Sequence, residues 1–224
     1  MNSPRGAPEL GRAASTPSVS AALTAALRGE PCRVVGFDGE EAMLPVARWR
    51  TDADAGDVEL LSRCRGATVD IGCGPGRMTH ALLCRGVAAL GIDVVHEAVR
   101  QARERGGVAL HRDVFSVLPG EGRWSTALLA DGNIGIGGDP VRLLRRVADL
   151  LAPDGRVVVD LASPGGPVRI RWIRLEVHGA TSSAFSWAVV PADQLELLAE
   201  ASALRILELT QHRGRWFAEL EKQG

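Results

Sequence analysis

The stretch Val69-Asp70-Ile71-Gly72-Cys73-Gly74-Pro75-Gly76-Arg77 constrains this chain more than any other. An apolar run over residues 67–71 carries a carboxylate near its end and enters a turn with glycine at every second position. Glycine admits backbone angles closed to other residues and, lacking a side chain, lets a ligand lie against the main chain. Residues 79–84 have helical character, so the turn joins a strand to a helix N-terminus, where free N–H groups and the dipole favour negative charge. A second apolar run, 87–92, ends at Asp93, where a ribose-binding acid belongs after a first βα unit. These residues point to a nucleotide-like ligand. The dinucleotide fingerprint G-x-G-x-x-G asks for glycine at position 77, which is arginine here, so an NAD site fits poorly.

From this turn onward the pattern alternates. Strand 67–71, helix 77–85, strand 87–92, helix 95–105, strands 108–112 and 125–130, helix 140–151 and strand 155–161 follow in order. Strands alternating with helices predict an α/β chain with a parallel sheet covered on both faces. Ligands then collect beyond the carboxyl ends of the strands. Residues 1–17, rich in Pro, Ala, Gly and Ser without apolar period, predict a disordered tail. Residues 18–66 predict an appendage: a helix at 18–28, a β-hairpin at 33–46 around Asp38-Gly39, and a helix at 55–64. The core is expected over 67–224, with a substrate-side insertion near 165–190. In that insertion Ile170, Trp172, Arg174 and Glu176 alternate with Ile173, Leu175 and Val177, as in a strand. A helix at 191–201 and an antiparallel hairpin, 204–210 and 215–221 around Gly214, close the chain.

Composition excludes several classes. Lys+Arg of 26 against Asp+Glu of 27 gives a formal charge of −1, which disfavours a general nucleic-acid or membrane-surface binder. No apolar stretch reaches the roughly 18 residues that suggest a membrane span, and the N-terminus lacks a signal peptide's order. Cys32, Cys64, Cys73 and Cys84 form no C-x-x-C pair, so neither a metal site nor a disulfide framework is expected. The expectation is a cytoplasmic protein.

The Asp-x-Gly-x-Gly-x-Gly turn, with Asp70 on the strand end, resembles the first motif of class I S-adenosylmethionine (SAM)-dependent methyltransferases. The likeness continues in order through Asp93 after the second strand and Arg112-Asp113-Val114 after the third. Residues 139–159, with Pro153-Asp154-Gly155, are similar to the family's fourth helix, Pro-x-Gly turn and fifth strand. The resemblance covers residues 67–162 and implies a Rossmann-like sheet that binds SAM and releases S-adenosylhomocysteine (SAH). It also implies that Gly72, Cys73, Gly74 and Gly76 contact the cofactor and that Asp70 orders the turn and holds the methionine end. Asp93 would accept from both ribose hydroxyls, beside Val94, and Asp113 with Val114 would hold adenine.

The fourth strand ends in Leu129-Ala130-Asp131-Gly132-Asn133, a departure from the Asn/Asp-Pro-Pro-Tyr/Phe sequence of many nucleic-acid and protein-glutamine amino methyltransferases. By the resemblance, Asp131 and Asn133 should border the methyl group. Asp131 is a candidate for binding the methionine amino group or acting as a base, and His178 is a second candidate base. The glycines at 132–138 are expected to let this loop turn over the cofactor. Trp49, Phe185 and Trp187 are candidates to close over a substrate, while Arg142, Arg145 and Arg146 suit a solvated helix face. Similar chains are bacterial methyltransferases of small metabolites. Methyl transfer to a small molecule by in-line displacement is therefore the expected reaction. An RNA or protein acceptor, or a SAM-binding regulatory subunit without catalysis, stays open, as does the oligomeric state.

Overall fold

The computed structural model describes residues 16–36 and 39–223. Most of the tail expected at 1–17 therefore lies outside the described residues, as do Phe37 and Asp38 of the expected hairpin turn. Helix α1 (Val19–Leu27) starts at Ser18, whose hydroxyl accepts from the Ala21 N–H at 3.1 Å. Strands β1 (Cys32–Gly36) and β2 (Glu41–Met43), the short helix α2 (Val46–Trp49) and helix α3 (Ala55–Ser62) follow. The alternating part comprises β3 (Thr68–Ile71), α4 (Arg77–Cys84), β4 (Ala89–Asp93), α5 (His96–Glu104), β5 (Ala109–His111) and β6 (Trp124–Leu129). A 3₁₀ turn at Asn133–Gly135 leads to α6 (Pro140–Leu150) and β7 (Leu151–Leu161). Beyond these lie β8 (Arg169–Val177), β9 (Ala180–Thr181), β10 (Phe185–Val189), α7 (Leu195–Ala201), β11 (Leu204–His212) and β12 (Arg215–Lys222).

The larger sheet has the order β11-β12-β7-β6-β3-β4-β5. Strands β3 to β7 run parallel, β12 is antiparallel to β7, and β11 is antiparallel to β12. This is the expected Rossmann-like sheet with its C-terminal hairpin. The chain steps outward from β3 to β5 and returns to β6 beside β3, so winding reverses there and a crevice opens at the carboxyl ends. Central strands are covered on both faces, and alternate side chains feed two cores. Val157, Val159 and Leu161 pack with Leu143, Leu144 and Val147 of α6, whereas Val158 packs with Leu60 and Leu61 of α3, Leu82 of α4 and Phe217. Helix α6 starts as its sequence predicts: Asp139 accepts from the Arg142 N–H at 2.9 Å, and Pro140 takes the first helical position. Its arginines are not merely a solvated face. Arg145 donates to the Ala201 carbonyl at 2.6 Å, Arg146 to the Val114 carbonyl at 2.8 Å, and Arg142 stacks on the Phe115 ring at 4.1 Å.

The hairpin and the insertion, far apart in the chain, join in a second antiparallel sheet of order β10-β8-β1-β2. Val34 of β1 stands opposite Leu175 of β8, and Phe185 of β10 opposite Ile173. Residues 185–187 of the insertion are thus part of a strand. The alternation of β8 sorts as its sequence implies: Ile173, Leu175 and Val177 are buried, while Ile170 and Trp172 are exposed. Helix α1 covers part of the inner face, with Ala22, Ala26 and Leu27 packed on Leu175, Val177 and Ala98 of α5. Glu97 of α5 accepts from Arg28 at 3.2 Å, and Gln101 donates to the Leu27 carbonyl at 2.9 Å, so α1 is tied to the core.

At the start of α3, Asp54 and Asp57 exchange backbone-to-carboxylate hydrogen bonds, both at 2.9 Å, in a capping box. Asp57 is fully buried and also receives the guanidinium groups of Arg77 and Arg215, the latter at 2.8 Å. Asp57→Ala is expected to lower the unfolding free energy by about 3–5 kcal/mol, because it strands buried positive charge. Asp54→Ala, which removes a solvent-exposed cap, is expected to lower it by about 1 kcal/mol. Urea denaturation of the two variants checks the difference.

Candidate functional site

A cavity of about 860 Å³ lies beyond the carboxyl ends of β3, β4, β6 and β7. One wall is the turn after β3 with Asp70, Asp93, Asp113, Asp131 and Asp160, each at or just past a strand end. The opposite wall is the second sheet, through Val34, Ile173, Leu175, Phe185, Trp187 and Val189. Leu23 of α1 and Trp49 of α2 close the side.

The glycine turn has the backbone that its sequence demands. Gly72 and Gly76 take φ of +70° and +81°. A Cβ on Gly76 would stand 2.8 Å from the Ala102 Cα, so glycine also lets the turn close on α5. The Gly74 N–H donates to Asp93 Oδ2 at 3.0 Å, and the Val95 N–H donates to Asp93 Oδ1 at 2.8 Å. A carboxylate offers about four lone-pair sites, so Asp93 holds the turn and retains acceptor capacity toward the cavity. Asp113 is exposed at the rim and accepts from the Phe115 N–H at 2.9 Å, with Val114 buried behind it and Val94 exposed beside it. The Cys73 thiol is tucked against Gly91, and burial pushes it well above the usual thiol range.

Asp70 is fully buried and accepts from the Thr79 hydroxyl at 2.7 Å. Burial pushes its carboxyl up to about 7; the Thr79 hydrogen bond opposes the shift, and the charges of Asp131 and Asp93 add to it. Burial likewise raises Asp93, against its bonds to Val95 and Gly74. Asp160 is raised by burial and held down by Arg215, which donates to it at 2.5 Å.

Asp131 reaches the cavity but is not a free base. Arg77, 3% exposed, bridges Asp131 and Asp57, while Arg215 Nη2 lies 3.9 Å and Arg48 Nη2 4.0 Å from Asp131. Guanidinium groups thus face both of its carboxylate oxygens. The sequence marked Arg77 only as a departure from a dinucleotide turn. Its partner Asp57, and the Arg215–Asp160 pair that shares Asp57, were missed, because they come from distant segments with no shared motif.

Trp49, Phe185 and Trp187 line the cavity together, as expected. Asn133 lines it too, but its Nδ2 donates to the Ile71 and Gly72 carbonyls at 2.8 and 3.0 Å, so its amide grips the turn rather than standing free for a substrate. Gly135 and Gly138 make room for β10: a Cβ on either would collide with it, at 2.1 Å from the Ala188 carbonyl and 2.6 Å from Ser186 Cβ. His178 is a correction. It occupies the exposed β8–β9 turn, pairs with Glu30 at 2.9 Å and is absent from the cavity wall, because β8 carries the chain away from the strand ends before the turn.

Residues 68–155 match the family model described as a methyltransferase domain. No curated protein sequence matches the chain. A SAM-dependent methyltransferase from Bacteroides fragilis, solved with SAH, superposes with a TM-score of 0.75 at 21% identity, over 91% of this chain and 93% of that one. Burkholderia thailandensis 1,6-didemethyltoxoflavin-N1-methyltransferase, solved with 1,6-didemethyltoxoflavin and SAH, gives 0.62 at 19% identity, over 100% and 94%. The sugar N-methyltransferase KedS8 from Streptoalloteichus sp ATCC 53650 gives 0.56 at 16% identity, over 79% and 88%. At these identities the superpositions establish the fold.

Asp70, Asp93 and Asp160 are all raised in the folded chain. Above the ordinary carboxylate range the unfolded chain has released these protons while the folded one still holds them. Stability therefore falls as pH rises from near 4 to about 7, the value to which Asp70 is raised. Asp70→Asn is expected to flatten that slope. Urea unfolding at a series of pH values measures it.

Proposed function

We propose that this chain, which matches a methyltransferase domain over residues 68–155, is a SAM-dependent methyltransferase that methylates a small and largely apolar molecule seated beneath the second sheet. The observation that carries the reading is the composition of one cavity: a glycine turn and strand-end acids on one wall, aromatic and aliphatic side chains on the other. Small-molecule sites are commonly concave and apolar with a few polar groups that set orientation. Unpaired polar groups on a ligand would be penalised against Val34, Leu175, Phe185 and Trp187.

The residues fit the cofactor. Gly72, Cys73, Gly74 and Pro75 of the turn line the cavity, and Asp93 and Asp113 stand one and two strands away. Gly72, Cys73 and Gly74 would hold the ribose and methionine portion, Asp93 the ribose hydroxyls, Asp113 with Val94 and Val114 the adenine, and Asp70 and Asp131 the methionine end, while Gly76, packed on α5 and off the wall, would shape the turn. Bound SAM supplies a methyl group activated by a sulfonium. The chain's part is to orient the acceptor and exclude water, and well-ordered positioning is worth about 7–11 kcal/mol in favourable cases.

A polymer acceptor would require a groove of free cations leading to the site. Arg48, Arg112 and Arg171 line the cavity, beside Arg77 and Arg215 of the ion cluster; Arg48 faces Asp54 at 3.5 Å, Arg171 pairs with Glu40 at 3.0 Å and Arg112 donates to the His111 carbonyl at 2.9 Å, while Arg50 and Arg169 stand off the wall. That balance favours the small-molecule reading.

Calorimetry is expected to show SAM and SAH binding and no NAD binding; NAD binding without a response to SAH would overturn the cofactor assignment. Asp93→Ala is expected to weaken SAH by about 1.5–3 kcal/mol with the fold intact, as loss of charged hydrogen bonds implies. Methyl transfer to bulk RNA that fell steeply with added salt would replace the small-molecule acceptor with RNA.

A further inference from the structure

The crevice between β3 and β6 is spanned by Asn133, and the grip has geometry on both sides. Toward the turn, Nδ2 donates to the last carbonyl of β3, Ile71, and to Gly72. A Cβ on Gly72 would sit 2.8 Å from that nitrogen, so the amide enters only because residue 72 is glycine. On its far side the same segment meets the second sheet main chain to main chain. Ile136 forms a bridge with Trp187, the Ser186 hydroxyl donates to the Gly137 carbonyl at 2.9 Å, and Gly135 and Gly138 leave room for β10. Residues 133–138 are thus held between the turn that would bind a cofactor and the strand that carries Phe185 and Trp187.

We propose that Asn133 is a positioning residue that makes the aromatic strand respond to the cofactor. A ligand docked on the glycine turn holds the Ile71 and Gly72 carbonyls in one arrangement. Asn133 then steadies residues 133–138, and these hold β10 in register over the acceptor space. The inference rests on the reading of the cavity as a cofactor site roofed by an acceptor wall. It adds an order to events: the wall tightens once the cofactor is in place. Such coupling needs one state of the connecting segment to be favoured by both sites, and a backbone-to-backbone contact flanked by a bidentate amide meets that requirement.

Hydrogen exchange of the full chain with and without saturating SAH tests this, with calorimetry run in parallel. In the wild type, SAH is expected to slow exchange in 185–189 by roughly fivefold or more, the lower end of ordinary coupling between sites. In Asn133→Ala, SAH should still bind while that slowing disappears. Asn133→Asp gives a separate readout: it keeps the shape of the side chain, but its carboxylate accepts and cannot donate to the two carbonyls. Its SAH-dependent slowing should be absent at neutral pH while SAH still binds, which filling the space alone would not produce. SAH binding to the wild type without slowing in 185–189 would overturn the proposal alone. So would slowing that persisted in Asn133→Ala or, at neutral pH, in Asn133→Asp. Failure of the wild type to bind SAH would sink the cofactor reading as well.

Discussion

A guanidinium almost without solvent must find its counter-charges inside the fold, and that requirement at Arg77 organises the region around the cavity. Arg77 begins α4, immediately after the glycine turn, and its charge is met by Asp57 from α3 and Asp131 from the loop after β6. Arg215, at the start of β12, closes the arrangement on Asp57 and Asp160. Appendage, turn, central loop and terminal hairpin are thereby joined at one place. Asp131 accepts a left-handed backbone, φ +52°, to take part. Ion pairs of this kind add little net stability compared with apolar packing of similar volume, because desolvation opposes the attraction. Their consequence here is positional: they hold one end of the cavity polar while the rest of its roof is apolar.

That roof depends on two segments that could not stand alone. A two-stranded hairpin is marginal in water, and β1–β2 is short. Strand β8 has one apolar side that needs cover. Paired, β1 and β8 satisfy each other's backbone, and α1 with α5 covers part of the shared inner face. The uncovered remainder, from Val34 to Trp187, faces the strand ends. Closing a long loop to bring such segments together is penalised only weakly with its length, so their distance in sequence is no obstacle.

The acids of the site were legible one by one, because a carboxylate at the end of an apolar run marks a strand end. Asp70, Asp93 and Asp113 could be placed on that ground, and Asp139 by its cap. What each one faces was not legible. Asp70 and Asp93 are raised by burial, which their local sequence does not reveal. That the Asn133 amide grips the turn was not legible, because nothing in Asp131-Gly132-Asn133 shows that the Ile71 and Gly72 carbonyls lie within reach. His178 was singled out by residue type alone, and the direction of β8 removes it from the wall.

The sequence by itself determined what is periodic and local: the α/β alternation, the glycine turn with its left-handed angles, the strand-end acids and the start of α6. These follow from rules that act over a few residues, namely side-chain alternation, the steric freedom of glycine and the need to cap a helix. Tertiary structure decided which distant pieces meet. It paired the hairpin with the insertion, turned Arg77 from a misfit in a phosphate-binding turn into the centre of an ion cluster, and assigned Gly135 and Gly138 to the approach of β10. Such outcomes depend on burial and on contacts between segments far apart in the chain. Neither is encoded in the spacing of residues along a single strand or helix.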